Sequence, residues 1–466
     1  VCWSNVKNKL ESPVKTVDVH TIIDKARFNK FHWLVLFWCA LIIIFDGYDL
    51  IIYGVVLPQL MSEWQMTPME AGTLGSTALF GMMFGALFFG PLSDKIGRKL
   101  TIMICVALFS GVTFLNGFAR DPLEFGICRF IAGLGIGGVM PNTVALMTEY
   151  APKKVRSTLV AIMFSGYSVG GMASAFIGMQ LIPSYGWQPV FWIAGIPLLL
   201  LPLIALMLPE SVGFLVQSGN KEKAAAMLNR VSPGAGISAG DHFHMPTGKS
   251  DTVPLVSLFT QNRLLSTLMF WLAFFCCLMM VYALGSWLPK IMEAGGYDVK
   301  KGILFLLVLN FGAMFGAIGG GWLSDRFNLR RVISLMFIIA AVSIGLLGFK
   351  GSMLTQYLLM TIAGACTIGT QILLYAYVAQ YYPLSNRSTG IGWASGVGRL
   401  GAILGPILGG ALMAMELDIQ MNFIAVGIPA IVAAIAISLV GRSATHAQDE
   451  EEDLAFAAGT LKMEVD

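Results

Sequence analysis

Twelve apolar runs, most of them near the roughly 20 residues a helix needs to cross hydrocarbon, punctuate this chain. Nothing else in it limits the fold as strongly. Within a bilayer core every backbone N–H and C=O must be satisfied internally, which runs of this length achieve as helices. We place them at 31–58, 69–91, 100–118, 123–147, 157–182, 188–208, 265–289, 302–323, 332–349, 353–381, 389–414 and 420–441. Composition agrees: of 466 residues 56% are hydrophobic and 12% charged, whereas soluble domains carry about 25% charged residues. The expectation is an all-α membrane protein of twelve transmembrane helices, in contact with the lipid bilayer. The net charge of +3 gives no pull towards nucleic acid.

The longest break, 209–264, is polar and splits the spans six and six. The chain thus divides into an N-terminal segment (1–30), a first six-helix bundle (31–208), a central loop (209–264), a second bundle (265–441) and a tail (442–466). The first thirty residues hold Lys7, Lys9, Lys15, Lys25, Arg27 and Lys30 but no apolar core, so they are not expected to be a cleavable signal. With the N-terminus in the cytoplasm, only Arg120, Lys290, Lys300, Lys301 and Lys350 fall on the opposite face, and Arg129 and Arg399 fall inside spans. The other basic residues lie on the cytoplasmic side, which places both termini and the central loop there. Six of the seven cysteines lie in apolar runs without ligand spacing and read as unpaired thiols. "DHFH" (Asp241 to His244) lacks a third metal partner, and "DEEED" (Asp449 to Asp453) reads as a solvated run.

The halves repeat at an offset of 231 residues: "GALFFGPLSD" (Gly85 to Asp94) matches "GAIGGGWLSD" (Gly316 to Asp325). At the same offset "EYAPKKVRST" (Glu149 to Thr158) matches "QYYPLSNRST" (Gln380 to Thr389), and "GVVLP" (Gly54 to Pro58) matches "GSWLP" (Gly285 to Pro289). Two parallel halves with a site near the midplane between them is an architecture of secondary transporters. "GPLSDKIGRK" (Gly90 to Lys99) resembles the signature loop of the major facilitator superfamily, and "GWLSDRFNLRR" is a degenerate copy. "DGYD" (Asp46 to Asp49), "RFIAGLGIGG" (Arg129 to Gly138) and "LPESVGFL" (Leu208 to Leu215) are similar to the aromatic acid:proton symporter family within it, the overall pattern resembling its bacterial benzoate transporters. The resemblance implies the major facilitator fold and uptake of an aromatic carboxylate.

The first span, "LIIIFDGYDLIIYG", carries Asp46 and Asp49 near its middle. Placing one carboxylate there costs roughly 2.5–3.5 kcal/mol on insertion scales. At the repeat offset the two face Cys277 and Met280, so the second half folds without them. They share a helix face and are suited to carry protons, although a plain inter-helix bond is the simpler reading. Arg129 and Arg399 have the uncharged counterparts Met360 and Ser168. A guanidinium binds a carboxylate by two hydrogen bonds. Arg399 is therefore assigned to the substrate, with Gly396, Gly398, Gly401 and Gly405 leaving room beside it, and Arg129 to proton coupling, by pairing with an aspartate of span one. Ring and amide candidates for the cavity are Tyr48, Tyr53, Asn142, Tyr282, Trp287, Asn310, Gln371, Tyr375 and Trp393.

By the same resemblance, Gly90, Asp94, Gly97, Arg98, Glu149, Arg156, Asp325 and Arg387 form a cytoplasmic gating network, with Asp94 near the start of span eleven. "GAILGPILGG" (Gly401 to Gly410) has a form typical of span five in superfamily antiporters, but here span five reads "GGMASAFIG", which argues against drug efflux. No phosphate-binding loop of the G-x-x-x-x-G-K-[ST] form occurs, so ATP is not expected to drive the protein, and it is not expected to be an enzyme. The expected function is proton-coupled import of an aromatic carboxylate, benzoate foremost, across a bacterial inner membrane. Protons are the coupling ion, no other cofactor is expected, and the protein acts as a monomer. A porter for another organic anion or a sugar-like solute, or a chemoreceptor for aromatic acids on this scaffold, are the alternatives.

Overall fold

A computed structural model of the chain describes residues 16–244, 258–260, 263–349, 351–382 and 387–441, with the side chains of Ser157, Ser324, Asp325, Arg387 and Ser388 outside that set. A strand β1 (Thr16–Asp18) and a short helix α1 (Val19–Lys25) precede α2 (Lys30–Glu63), α3 (Pro68–Ile96), α4 (Arg98–Asn116), α5 (Pro122–Tyr150) and α6 (Arg156–Tyr185). The sixth span is α7 (Gln188–Ile193) and α8 (Ile196–Met207), followed by α9 (Val212–Gln217), α10 (Lys221–Val231) and β2 (His242–His244). The second half comprises α11 (Leu264–Ala294), α12 (Val299–Arg326), α13 (Leu329–Leu347), α14 (Met353–Tyr381), α15 (Arg387–Ala414) and α16 (Ile419–Leu439). Twelve spans among the described residues are long and apolar enough to cross a membrane, as the apolar runs predict.

Local chemistry sets the boundaries. Asn29 caps α2 in a capping box with His32, and Thr67 caps α3 in one with Glu70, with Pro68 opening the helix. Pro197 breaks the sixth span, because a proline ring cannot donate and clashes with the carbonyl four residues back. Gly97 joins α3 to α4 alone, at φ +95°, a conformation other residues rarely adopt. Leu199, Leu206 and Leu123 are among many large apolar side chains left exposed on the outer faces, where lipid would solvate them.

Each half pairs its first helix with its fifth, its second with its fourth and its third with its sixth. An even number of spans per half returns the chain to its starting end, here termed proximal; the other end is distal. Between the halves α3 packs on α15, α6 on α12 and α2 on α11. These contacts concentrate distally: Ser76 Oγ donates to the Ile403 carbonyl (2.5 Å), and Gly72 and Gly410 lie against the partner helix. One apolar core runs from Tyr48, Ile52 and Phe191 of the first half straight into the second. Proximally, among the described residues, the halves stand apart, with open space over Gly90, Gly392 and Gly396. The molecule is closed distally and open proximally.

The N-terminal segment and central loop hold more structure than their polar composition suggests. β1 pairs in parallel with β2, Thr16 opposite His242, so part of "DHFH" is a strand. Asn29 Nδ2 donates to the Val231 carbonyl at the end of α10 (2.9 Å), and Arg156 pairs with Asp24 of α1 at 2.5 Å. Thr21 caps back onto Asp18, and its hydroxyl holds that exposed carboxyl below its usual range. The "DEEED" run and the other residues of the tail lie outside the described residues.

Candidate functional site

Asp49 is in a closed polar cage inside the first half. Arg129 Nη1 of α5 pairs with its Oδ1 at 2.7 Å, and Arg129 Nη2 donates to its backbone carbonyl at 3.1 Å. Thr113 Oγ1 of α4 lies 3.1 and 3.0 Å from the two carboxylate oxygens. Asp49 and Arg129 are 1% and 2% exposed, so the pair is dry and each charge needs the other. The expectation that Arg129 pairs with an aspartate of the first span holds, and the partner is Asp49.

Asp46, one turn away, has a different environment. It is fully buried, and neither carboxylate oxygen has a hydrogen-bond partner among the described residues. Beside it, Gly47 lets α2 touch the backbone of Tyr167 on α6; any side chain there would collide. Across the gap between the halves Asp46 lies within electrostatic range of Arg399 on α15. Arg399 lies beside Tyr282 of α11, which lies beside Tyr167 of α6, a row of neighbours that crosses from one half to the other. Arg399, Tyr282, Tyr167 and Tyr375 are partly exposed at mid-chain positions of their helices, so they line the space between the halves. Tyr167 is the residue that sequence reasoning missed. Its only signal is position: it precedes Ser168, the repeat counterpart of Arg399.

The glycines around Arg399 do not leave the room expected of them. Gly398, Gly401 and Gly405 are filled by Leu278 and Phe274, Phe275 and Met279 of α11, and open space remains over Gly396. Small residues here draw two helices together, as in membrane interfaces generally.

Several ring and amide candidates are engaged elsewhere. Tyr48 donates to the Val190 carbonyl (2.7 Å), Tyr53 to Ala71 (2.5 Å) and Trp287 to Pro406 (2.7 Å). Asn142 Nδ2 donates to Gly138 (2.8 Å) and reaches Phe89 of α3, tying α5 to α3. Trp393 is 45% exposed and stacks on Trp271, with ring centroids 5.8 Å apart. Asn310 is buried against Gly171 of the other half with its Oδ1 unpartnered among the described residues. Gln371 and Tyr375 lie half-buried on α14, and the Tyr375 ring packs edge-on against Phe274.

At the proximal end Gly97 turns the chain so that Arg98 pairs with Glu149 and donates to the Ala145 carbonyl (3.1 Å). Glu149 also accepts from Ser211 Oγ (2.9 Å) and the Gly213 amide (2.8 Å). Glu210 accepts from the Lys99 and Ser211 amides (3.1 and 2.8 Å), and its carbonyl accepts from Tyr150. "LPESVGFL" is thus the strap that closes this clamp. Asp94, Arg98, Glu149, Arg156 and His20 line a cavity of about 420 Å³. The clamp joins the first half to the start of the central loop, and Gly90 faces open space, so among the described residues nothing of the second half meets α3 beside Gly90. The side chains of Asp325 and Arg387 lie outside the described residues.

The model of the Major Facilitator Superfamily matches residues 39–327 and 308–462. A benzoate transport protein of Acinetobacter baylyi is 45% identical over 458 residues, covering 97% of this chain and 98% of that protein. A gallate transporter of Pseudomonas putida is 35% identical, covering 94% and 98%. A 4-hydroxybenzoate transporter of the same species is 34% identical, covering 92% and 96%. Among solved structures, the xylose transporter XylE from E. coli in a partially occluded inward open conformation superposes with a TM-score of 0.70 at 17% identity, covering 90% of this chain and 99% of that one.

Proposed function

Since this chain belongs to the major facilitator superfamily and is a multi-pass membrane transporter rather than an enzyme, we propose that it imports an aromatic carboxylate, benzoate foremost, in symport with protons across a bacterial inner membrane. Relatives carrying benzoate, gallate and 4-hydroxybenzoate in their names support the substrate class.

One observation carries the reading of the site. Of the two intramembrane arginines, Arg129 is consumed by Asp49, while Arg399 faces the space between the halves opposite Asp46, whose carboxylate has no hydrogen-bond partner among the described residues. A substrate carboxylate binds Arg399 in fork geometry, with the Tyr282 and Tyr167 hydroxyls beside it. An ionised carboxylate without a donor is costly to bury, and a proton on Asp46 removes that cost. With the termini in the cytoplasm, the open proximal end is the inward-facing state. Asp46, adjacent to the substrate site, then releases its proton inward with the substrate.

The electrical accounting agrees with this arrangement. An anion entering a negative interior works against about 2.3 kcal/mol per 100 mV. One proton cancels that charge, and a second makes uptake electrically favourable.

The test is uptake of radiolabelled benzoate into proteoliposomes under an imposed inward proton gradient. Asp46→Asn is expected to lose accumulation while keeping substrate exchange. Unchanged accumulation in that variant sinks the role of Asp46. Absence of uptake by the unaltered protein sinks benzoate.

A further inference from the structure

The face of α4 that meets Asp49 is polar well beyond that contact. Ser110, Thr113 and Asn116 recur every third residue, so their side chains follow one stripe of the helix. All three are fully buried. Thr113 binds Asp49, but Ser110 Oγ and both side-chain polar atoms of Asn116 have no partner among the described residues. A buried amide with neither of its groups satisfied is expensive, and a polar site of this kind is where proteins hold internal water. Asn116 is the last residue of α4, at its distal end, and Arg120 four residues later is exposed. From Thr113 at the Asp49 cage, Asn116 therefore lies one turn towards the distal surface and Ser110 one turn towards the proximal end.

We infer that Asn116 and Thr113 hold a short chain of water that delivers protons to Asp49 from the distal side, separately from the substrate cavity. Asp49, Thr113 and Arg129 are all closed to the space between the halves, whereas Arg399, Tyr282 and Tyr167 line it. The transfer is a plain proton hop: a hydronium ion on the chain gives its proton to a carboxylate oxygen of Asp49 and becomes water. Arg129 stays protonated throughout. The charged or titratable groups facing Asp49 are Arg129 of α5 and Asp46 and Tyr48 of its own helix, and α4 contributes only the neutral stripe. The two aspartates then have separate surroundings: Asp46, itself fully buried, lies within electrostatic range of Arg399 at the cavity, and Asp49 meets α4. The distal closure that traps substrate need not block proton loading.

This inference rests on the proton-symport reading, and one experiment separates them. In proteoliposomes, gradient-driven benzoate uptake is compared with counterflow at equal pH on both sides, while a trapped dye follows lumenal pH. Asn116→Leu is expected to lower the ratio of driven uptake to counterflow, and Ser110→Ala, on the other side of the Asp49 contact from the distal end, to leave it unchanged. The loss in Asn116→Leu is about tenfold, the worth of one hydrogen bond to a charged species. Asn116→Asp, which keeps the polar stripe, restores the ratio. An unchanged ratio in Asn116→Leu, or an equal loss in Ser110→Ala, overturns the path while leaving symport intact. If the unaltered protein shows no gradient-driven uptake, symport and path fall together.

Discussion

Gly54 of α2 lies directly against the carbonyl of Gly285 on α11, and the two are counterparts in the internal repeat, 231 positions apart. The first helices of the two halves cross there, at the distal end, and close it. A β-carbon at Gly54 would overlap that carbonyl. Gly54→Val therefore pushes the halves apart where they must meet. Overpacking of this kind costs about 1–3 kcal/mol, so the distal-closed state loses roughly five- to hundredfold in population. Labelling of a cysteine introduced on the distal face should rise and uptake should fall. Equal labelling in both proteins would show that this contact does not gate.

The Asp49–Arg129 pair is dry, and its members differ from exposed ion pairs in what their loss does. Arg129→Gln or Asp49→Asn alone strands a buried charge at a cost of about 3–5 kcal/mol. Thermal unfolding in detergent should show both single variants strongly destabilised. The double variant should recover much of the loss without regaining gradient-driven uptake. A double variant as unstable as the sum of the singles would mean the pair does not act as a unit.

Arg399→Lys keeps the charge but loses the planar fork. Hydrogen bonds to charged groups are worth about 1.5–3 kcal/mol each, so substrate affinity should fall by roughly tenfold to a hundredfold. Equilibrium binding of labelled benzoate measures it. Retained affinity in Arg399→Lys, and above all in Arg399→Gln, would move the carboxylate site elsewhere.

Tyr167 and Tyr282 face each other across the two halves, close enough for their hydroxyls to be coupled. Each single change to Phe should weaken transport, and the double change should cost less than the sum, since either one already breaks the coupling. Additive losses would mean independent roles.

The proximal clamp divides by exposure. Asp24 and Arg156 are about a third exposed, at 35% and 33%, so Asp24→Asn should alter stability by less than about 1 kcal/mol after solvent screening. Glu149 binds Arg98, Ser211 and Gly213 together, so Glu149→Gln should loosen the whole strap. Proteolysis of the 209–217 segment compares the two variants. Faster cleavage in Asp24→Asn than in Glu149→Gln would reverse this ranking.

The sequence by itself determined the class of fold. Runs long enough to cross hydrocarbon must be helices, and a repeat at a single offset requires two similar halves. It also pointed to Asp46, Asp49, Arg129 and Arg399, because a charge in an apolar span is costly enough to stand out without any coordinates. Tertiary structure decided how those charges divide. Asp49 and Arg129 lie eighty positions apart on different helices, and no local pattern says which aspartate takes the arginine. It also decided which polar groups are already spent: Tyr48, Tyr53 and Asn142 bind backbone carbonyls, and Gly398, Gly401 and Gly405 are filled by α11. Tyr167, Ser110 and Asn116 drew no attention in the sequence because single polar residues are common in spans. Their meaning comes from what faces them. Helix formation is a local consequence of composition and length, whereas partner choice depends on side-chain direction after the helices have packed.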